Sequence, residues 1–350
     1  MERRQLLQLA RQLLSLPTAP YHEHAVRAAV TQYTTALGLR PQRDSAGNLI
    51  VRWPPRRSPP AAPLVLVAHM DHPGFEALGP NRAEFLGGVP DAMFRGRPAV
   101  RFQTASGSVR ARVRRAVKKK VDLTGGAQLR GGELGQWDLP AFHTRGDRLT
   151  AAGIDDVLGV VASLAALTEI VRRRLPTPVW CVFTRAEEVG FHGALVAARK
   201  GRVPRSSLVL SLEMSRQRPW ARQGDGPIIR VGDRLTVFDP AATLYLEHTA
   251  RQENVRAQRC LMDGGTCEAS AFAAYGYRCG GLCLALGNYH NIGPDQRPAA
   301  EYVSVKDLAG LVELIVAAAR QWRGFERATV ILRRKVKQIE QTAPRRLTDS

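Results

Sequence analysis

Leu64-Val65-Leu66-Val67-Ala68 is an unbroken apolar run of strand length, the pattern of a β-strand covered on both faces, and it ends at His69-Met70-Asp71. Comparable runs occupy residues 179–183, 208–212 and 282–286, with segments of helical spacing between them. Strands buried on both faces need helices on both sides, so the pattern predicts an α/β core with a largely parallel sheet. In such sheets ligands gather beyond the carboxyl ends of the strands. Four polar segments follow these runs: Ala68-His69-Met70-Asp71, Ala186-Glu187-Glu188-Val189-Gly190, Ser211-Leu212-Glu213 and Asn288-Tyr289-His290. A fifth, Gly153-Ile154-Asp155-Asp156, instead opens a helical pattern over 155–175 whose buried stripe is Val157, Val160, Val161, Leu164, Leu167 and Ile170.

Residues 2–16 and 22–37 carry apolar positions at helical spacing, and Gly38 stops the second run. Asp44-Ser45-Ala46-Gly47-Asn48 then reads as a turn entering the strand Leu49-Ile50-Val51. The Pro and Arg cluster at 54–63 is expected to be a surface loop. From 75 to 149 the texture changes to short alternating segments with many glycines, which predicts a small β-rich module, barrel or PDZ-like, inserted into a larger domain. The expected organisation is a discontinuous catalytic domain of 1–74 and 150–326, the insert at 75–149, and a basic extension at 327–350 that carries no readable motif. The last helix of the core is placed at 304–323.

No apolar run reaches the ~18 residues of a membrane helix. Charged and polar residues interrupt the leucines of 1–16, where a signal peptide needs a continuous apolar stretch. The five cysteines, an odd number in a long chain, fit reduced thiols, and Cys279 and Cys283 read as small buried residues. A cytoplasmic location is therefore expected. The net charge of +20 is carried by arginine, since lysine occurs at only seven positions. In 109–114 basic and apolar residues alternate, the mark of a strand with one solvated face, and Lys118-Lys119-Lys120 follows. No recognition helix, zinc finger or aromatic RNA-binding motif accompanies them, so specific nucleic-acid binding is not expected.

His69, Asp155, Glu188, Glu213 and His290, with Glu187 beside them, form an inventory of imidazole nitrogens and carboxylate oxygens that suits zinc, cobalt or manganese. Two such ions about 3.5–4 Å apart share one bridging carboxylate and take terminal ligands each. Adjacent glutamates cannot both point at one ion in a regular strand, so one binds and the other faces the water to be activated. Each residue also has a plainer reading: His69 as a core histidine, Asp155 and Asp156 as helix-starting residues, Glu187-Glu188 as a solvated pair. Their joint occurrence in five segments favours the metal site. His22-Glu23-His24 would place alternate helix positions on different sides, which argues against a site there, and His72, His143, His192 and His248 have no partner readable from sequence. There is no Gly-rich phosphate loop and no GxSxG elbow, which removes kinase-like and serine-hydrolase readings.

Ala68-His69-Met70-Asp71-His72-Pro73-Gly74-Phe75 and Thr184-Arg185-Ala186-Glu187-Glu188-Val189-Gly190-Phe191-His192-Gly193-Ala194 resemble the co-catalytic metallo-aminopeptidases that include glutamyl, deblocking and tetrahedral-assembly aminopeptidases. Zinc carboxypeptidases and deacylases are more distant relatives of that family. The resemblance implies a zinc-peptidase-like three-layer core, two divalent metals per chain (zinc first, cobalt or manganese as alternatives), peptide substrates and a homo-oligomer. It implies Asp155 as the bridge, Glu188 and His290 completing one ion, and His69 and Glu213 completing the other. Asp71 would accept a hydrogen bond from the His69 imidazole, and Glu187 would be the general base. Three departures stand out: Glu213 where close relatives usually have Asp, Gly287-Asn288-Tyr289 before His290 in place of an Arg-Tyr pair, and Cys267-Glu268 after Gly264-Gly265-Thr266, where an acidic residue normally comes first. A carboxypeptidase or N-acyl-amino-acid deacylase with the same metals, and an inactive relative serving as a binding or assembly subunit, are the competing expectations.

Overall fold

A computed structural model describes residues 1–54 and 62–341. The proline and arginine cluster expected as a loop thus lies largely outside the described residues, as do the last nine residues of the extension. The fold is mixed α/β. Its main sheet has eight strands, in the spatial order Gln42–Arg43, Leu49–Trp53, Val179–Thr184, Leu64–His69, Leu208–Arg216, Arg278–Leu286, Ile228–Arg230 and Gln258–Cys260. The four strands from Val179–Thr184 to Arg278–Leu286 are mutually parallel, with Val182 opposite Val67, Leu210 opposite Leu66 and Leu212 opposite Leu282. These include all four apolar runs of the sequence.

Alternation along the strands divides the core. Leu64, Leu66 and Ala68 join an apolar cluster with helices Arg3–Leu14, His24–Ala36, Val157–Arg172, Pro240–Gln252 and Val305–Arg320. Val65 and Val67 point the other way, into a smaller cluster with helices His192–Arg199 and Glu268–Ala273. Val157–Arg172 is buried nearly all round, which explains why its sequence is so uniformly apolar. It begins two residues later than the sequence pattern suggests, because the Asp156 carboxylate caps it by accepting from the Gly159 N–H at 3.2 Å. A Cβ at Gly159 would lie 2.2 Å from Asp156 Oδ1, so this cap requires glycine there.

Residues 74–137 close into a six-stranded barrel, in the order Gly74–Gly79, Arg82–Leu86, Lys120–Thr124, Gly107–Val117, Ala99–Thr104 and Leu134–Trp137. The basic strand Gly107–Val117 follows the alternation seen in sequence, with Val109, Ala111 and Val113 inside and Arg110, Arg112 and Arg114 exposed. Phe75 centres the barrel core, its ring edge-on to Phe85 at 4.9 Å and to Trp137 at 4.8 Å. Phe75→Ala is expected to destabilise the barrel by about 3–5 kcal/mol. Urea unfolding followed by Trp137 fluorescence checks this, and an unshifted midpoint would contradict the packing. Strands Phe142–Arg145 and Arg148–Ala151 follow the barrel as an antiparallel pair, and Arg148–Ala151 also pairs with Glu301–Ser304 in a separate three-stranded sheet, just before the helix Val305–Arg320.

Past Arg320 the extension contains a helix, Ala328–Gln341, that lies against Pro240–Gln252 and exposes Arg333, Arg334 and Lys337. All five cysteines are free and buried, and burial pushes the Cys181, Cys279 and Cys283 thiols up to about 12. Among the described residues no helix is long and apolar enough to cross a membrane.

Candidate metal centre

His69 is the last residue of the central strand and stands opposite Thr184, the last residue of its neighbour. Beyond Thr184 the chain turns sharply at Ala186, which adopts φ 53°. The Asp71 carboxylate holds this turn: Oδ1 accepts from the Glu187 N–H and Oδ2 from the Glu188 N–H, each at 3.1 Å. Burial would raise the Asp71 pKa, but the His69 imidazole and these two N–H groups outweigh it and lower the carboxyl below its ordinary value. His69 Nδ1 lies 3.1 Å from the Asp71 carbonyl oxygen and 3.6 Å from its Oδ1. One acidic residue therefore orients the imidazole and aims both glutamates.

A second layer braces the turn from behind. Glu23, fully buried, accepts from Arg185 Nε at 2.5 Å and from the Ala186 N–H at 3.0 Å. Asn48, at the end of the turn that begins at Asp44, accepts from the Arg185 N–H at 3.1 Å. Glu23 of the His22-Glu23-His24 string is thus a structural acid at the start of a helix, while His22 pairs with Glu76 at 2.7 Å.

Asp155 enters from the opposite side, immediately before the buried helix, and its peptide bond to Asp156 is cis. Glu301 Oε2 accepts from the Ile154 N–H at 2.6 Å and from the Asp155 N–H at 3.1 Å. His72 places Nδ1 2.6 Å from the Asp155 carbonyl and Nε2 3.1 Å from Asn291 Oδ1. Glu213 lies inside its strand, which runs on to Arg216 because Arg278–Leu286 pairs with it throughout, and not just past the strand end as the apolar run suggests. His290 donates from Nδ1 to the carbonyl of Gly88, in a barrel loop, at 2.9 Å, which leaves Nε2 for the centre.

These approaches converge. His69 Nε2 is 3.7 Å from Asp155 Oδ1 and 3.8 Å from Glu187 Oε2. His290 Nε2 is 3.6 Å from Asp155 Oδ2 and 3.3 Å from Glu188 Oε2. Candidate ligand atoms lie within 4.8 Å of one another in three sets: His69, Asp155 and Glu213; Asp155, Glu188 and His290; and His69, Glu187 and Glu188. Asp155 belongs to the first two.

The donor set fits divalent ions. Asp155 Oδ1, Glu188 Oε1 and Glu213 Oε1 are buried without a hydrogen-bond partner, a costly state for carboxylate oxygens that a cation relieves. Burial, reinforced by Glu213 and Glu188, holds Glu187 well above its ordinary value, and burial with Glu213 does the same to Asp155. Burial drives His290 down to about 3, so its imidazole is a neutral donor. For His69 burial works downward, but Glu187 and Asp71 outweigh it.

Glu301, His72 and Asn291, which orient Asp155, escape sequence reasoning. So does Glu268, whose burial raises its carboxyl to about 8 and which accepts from Thr184 Oγ1 beside the centre. The proximity of His72 to His69 and the Cys267-Glu268 departure after Gly264-Gly265-Thr266 were the signals in the sequence. Beside Glu213 a cavity of about 60 Å³ is lined by Arg216, Arg218, Arg230, Thr266 and Tyr289.

The fold resembles that of a Pyrococcus horikoshii TET1 peptidase that assembles into a tetrahedron or a large octahedral shell, with 21% identity and a TM-score of 0.77 over 90% of this chain and 99% of that one. A TET aminopeptidase from a marine-sediment Thaumarchaeota archaeon gives 17% identity and a TM-score of 0.79 over 92% of this chain and 99% of that one. An Acetivibrio thermocellus protein named as an aminopeptidase is 25% identical over 181 residues, half of this chain, and the match spans 52% of that relative's length. The family model described as M42 glutamyl aminopeptidase matches residues 124–314, more than half of the sequence and four of the five segments that meet at the centre. The chain belongs to the M42 glutamyl aminopeptidase family.

Proposed function

We propose that the chain is a two-metal aminopeptidase that removes N-terminal residues from peptides. One observation carries the reading: Asp155 is common to two ligand sets, His69 with Glu213 and Glu188 with His290, and the Glu187 carboxylate stands beside them. On this reading those five residues hold the ions, zinc first, with cobalt and manganese compatible with the same donors. When bound, the metals polarise the scissile carbonyl and lower the pKa of water. Glu187 takes the proton of the attacking water and passes it to the departing amine, without a covalent intermediate. Asp71 fixes His69 and, through its two N–H contacts, the direction of Glu187 and Glu188.

The three-layer, zinc-peptidase-like architecture belongs to the same reading and is supported by apolar clusters on both faces of the main sheet. So does the division into a catalytic domain of 1–74 and 150–326, an insert at 75–149 and an extension from 327, supported by barrel closure over 74–137. Self-association as a homo-oligomer is proposed from the Pyrococcus assembly, and a cytoplasmic location from the sequence.

Arg216 and Arg218 in the neighbouring cavity support a second reading, a carboxypeptidase or deacylase that grips a free carboxylate. A panel of amino-acid amides and N-blocked peptides, offered to metal-stripped protein titrated with zinc, cobalt or manganese, decides between them. Activity that returns near two metals per chain and requires a free N-terminus is the expected result. Cleavage of blocked substrates alone moves the assignment to the second reading, and no cleavage with any metal leaves an assembly or binding subunit.

A further inference from the structure

Arg230 is a cation inside the protein without an ion pair among the described residues. Its side chain is 4% exposed, on the short strand Ile228–Arg230 that runs antiparallel to Arg278–Leu286. All its hydrogen bonds go to neutral oxygens: Nε to Gly232 O at 3.3 Å, Nη1 to Ser215 Oγ at 3.3 Å and Nη2 to Met262 O at 3.2 Å. Two of its five N–H groups are left over. The thiols nearby, Cys267 and Cys283, stay protonated because burial raises both, so neither supplies negative charge.

Two carboxylates remain as sources of compensation, and their bonding separates them. Asp233 is saturated: Oδ1 accepts from Leu235 N at 2.8 Å and Thr236 N at 3.0 Å, and Oδ2 from Cys267 N at 2.9 Å and Ser270 Oγ at 2.6 Å. Glu213 keeps a buried Oε1 with no partner. It sits two residues before Ser215 on one strand, hence on the same face as the hydroxyl that Arg230 binds, and both Glu213 and Arg230 line the cavity of about 60 Å³ beside the centre. A buried charge must be compensated, and Glu213 is the carboxylate left to do so, across the shared cavity and beyond ion-pair distance.

We propose that Arg230 is a positioning residue for the metal centre, its buried guanidinium supplying the fixed positive charge that holds the Glu213 carboxylate in place beside His69 and Asp155. This rests on the reading of Glu213 as a ligand. Arg230 acts through Glu213 and does not itself meet the substrate.

The test compares Arg230→Met, Arg230→Lys and Glu213→Gln, with the two metal dissociation constants measured by chelator competition with zinc, and KM and kcat measured on neutral and acidic aminoacyl amides. Loss of an orienting partner of a ligand typically costs 10–100-fold in metal affinity. The expected result is that Arg230→Met weakens one of the two equivalents by roughly that factor, the same equivalent that Glu213→Gln abolishes, with partial recovery in Arg230→Lys and unchanged KM on neutral substrates. Wild-type affinity for both metals in Arg230→Met, with KM raised only on acidic substrates, overturns the proposal and makes Arg230 a substrate-reading group. If Glu213→Gln leaves both equivalents intact, Glu213 is not a ligand and the proposal falls with that assignment, while the remaining metal set stands. Should Arg230→Met fail to fold, Arg230→Lys decides, because it keeps the charge while losing the planar fork and its reach: full wild-type affinity in a protein whose KM shifts on acidic substrates again assigns Arg230 to the substrate.

Discussion

Glu187→Gln is expected to lower kcat by roughly 10²–10⁴-fold, the usual contribution of a positioned general base, while KM and metal content stay near those of the native protein. The expectation follows from position. Glu187 Oε2 is 3.8 Å from His69 Nε2, its N–H is fixed by Asp71 Oδ1, and its carboxyl is buried. The amide of glutamine preserves shape but cannot accept a proton. Because Glu187 also forms a ligand set with His69 and Glu188, metal analysis of the purified variant is the informative control. Native metal content with lost turnover assigns it as base; loss of an equivalent would make it a ligand and leave the base to be found elsewhere. Its role as a base also predicts a pH limb: the carboxylate form needed to accept a proton disappears as pH falls, so the acid limb of kcat/KM should vanish or move in the variant.

Asp155→Ala is expected to have the larger effect on metal content. Asp155 is shared by the sets containing His69 with Glu213 and Glu188 with His290, so on the proposed two-metal reading its removal strips a donor from both ions at once, whereas Glu213→Gln strips one. Metal polarisation is worth several kcal/mol and each ~1.4 kcal/mol is tenfold in rate, so activity should fall by about 10³-fold or more. Zinc content should fall below one equivalent per chain, against about one for Glu213→Gln. Equal losses in the two variants would show that Asp155 does not bridge. The fold is expected to survive, because Asp156, not Asp155, caps the helix and Glu301 holds the Ile154 and Asp155 backbone.

The four parallel strands, the helices between them and the alternating strand of the barrel were all legible, because burial writes itself into periodicity. The centre was legible for a related reason: parallel strands deliver their last residues to one edge, and His69, Glu187, Glu188 and His290 all follow apolar runs. Helix limits were less sharp. The 155–175 pattern covers a helix of Val157–Arg172, since a capping carboxylate and a candidate ligand precede the first turn and share its apolar surroundings.

What the linear chain determined by itself is the set of elements and the kinds of donor at their ends, both of which depend on near neighbours in sequence. Only the tertiary structure decided which groups orient those donors. Glu301 reaches Ile154 and Asp155 from nearly 150 residues away, Gly88 of the barrel meets His290, Glu23 braces the turn before Glu187, and Arg230 lines the same cavity as Glu213 from another strand. Each is a local approach of polar groups from distant segments. Such a contact imposes no period on its surroundings, so it becomes visible only once the sheet and barrel have closed.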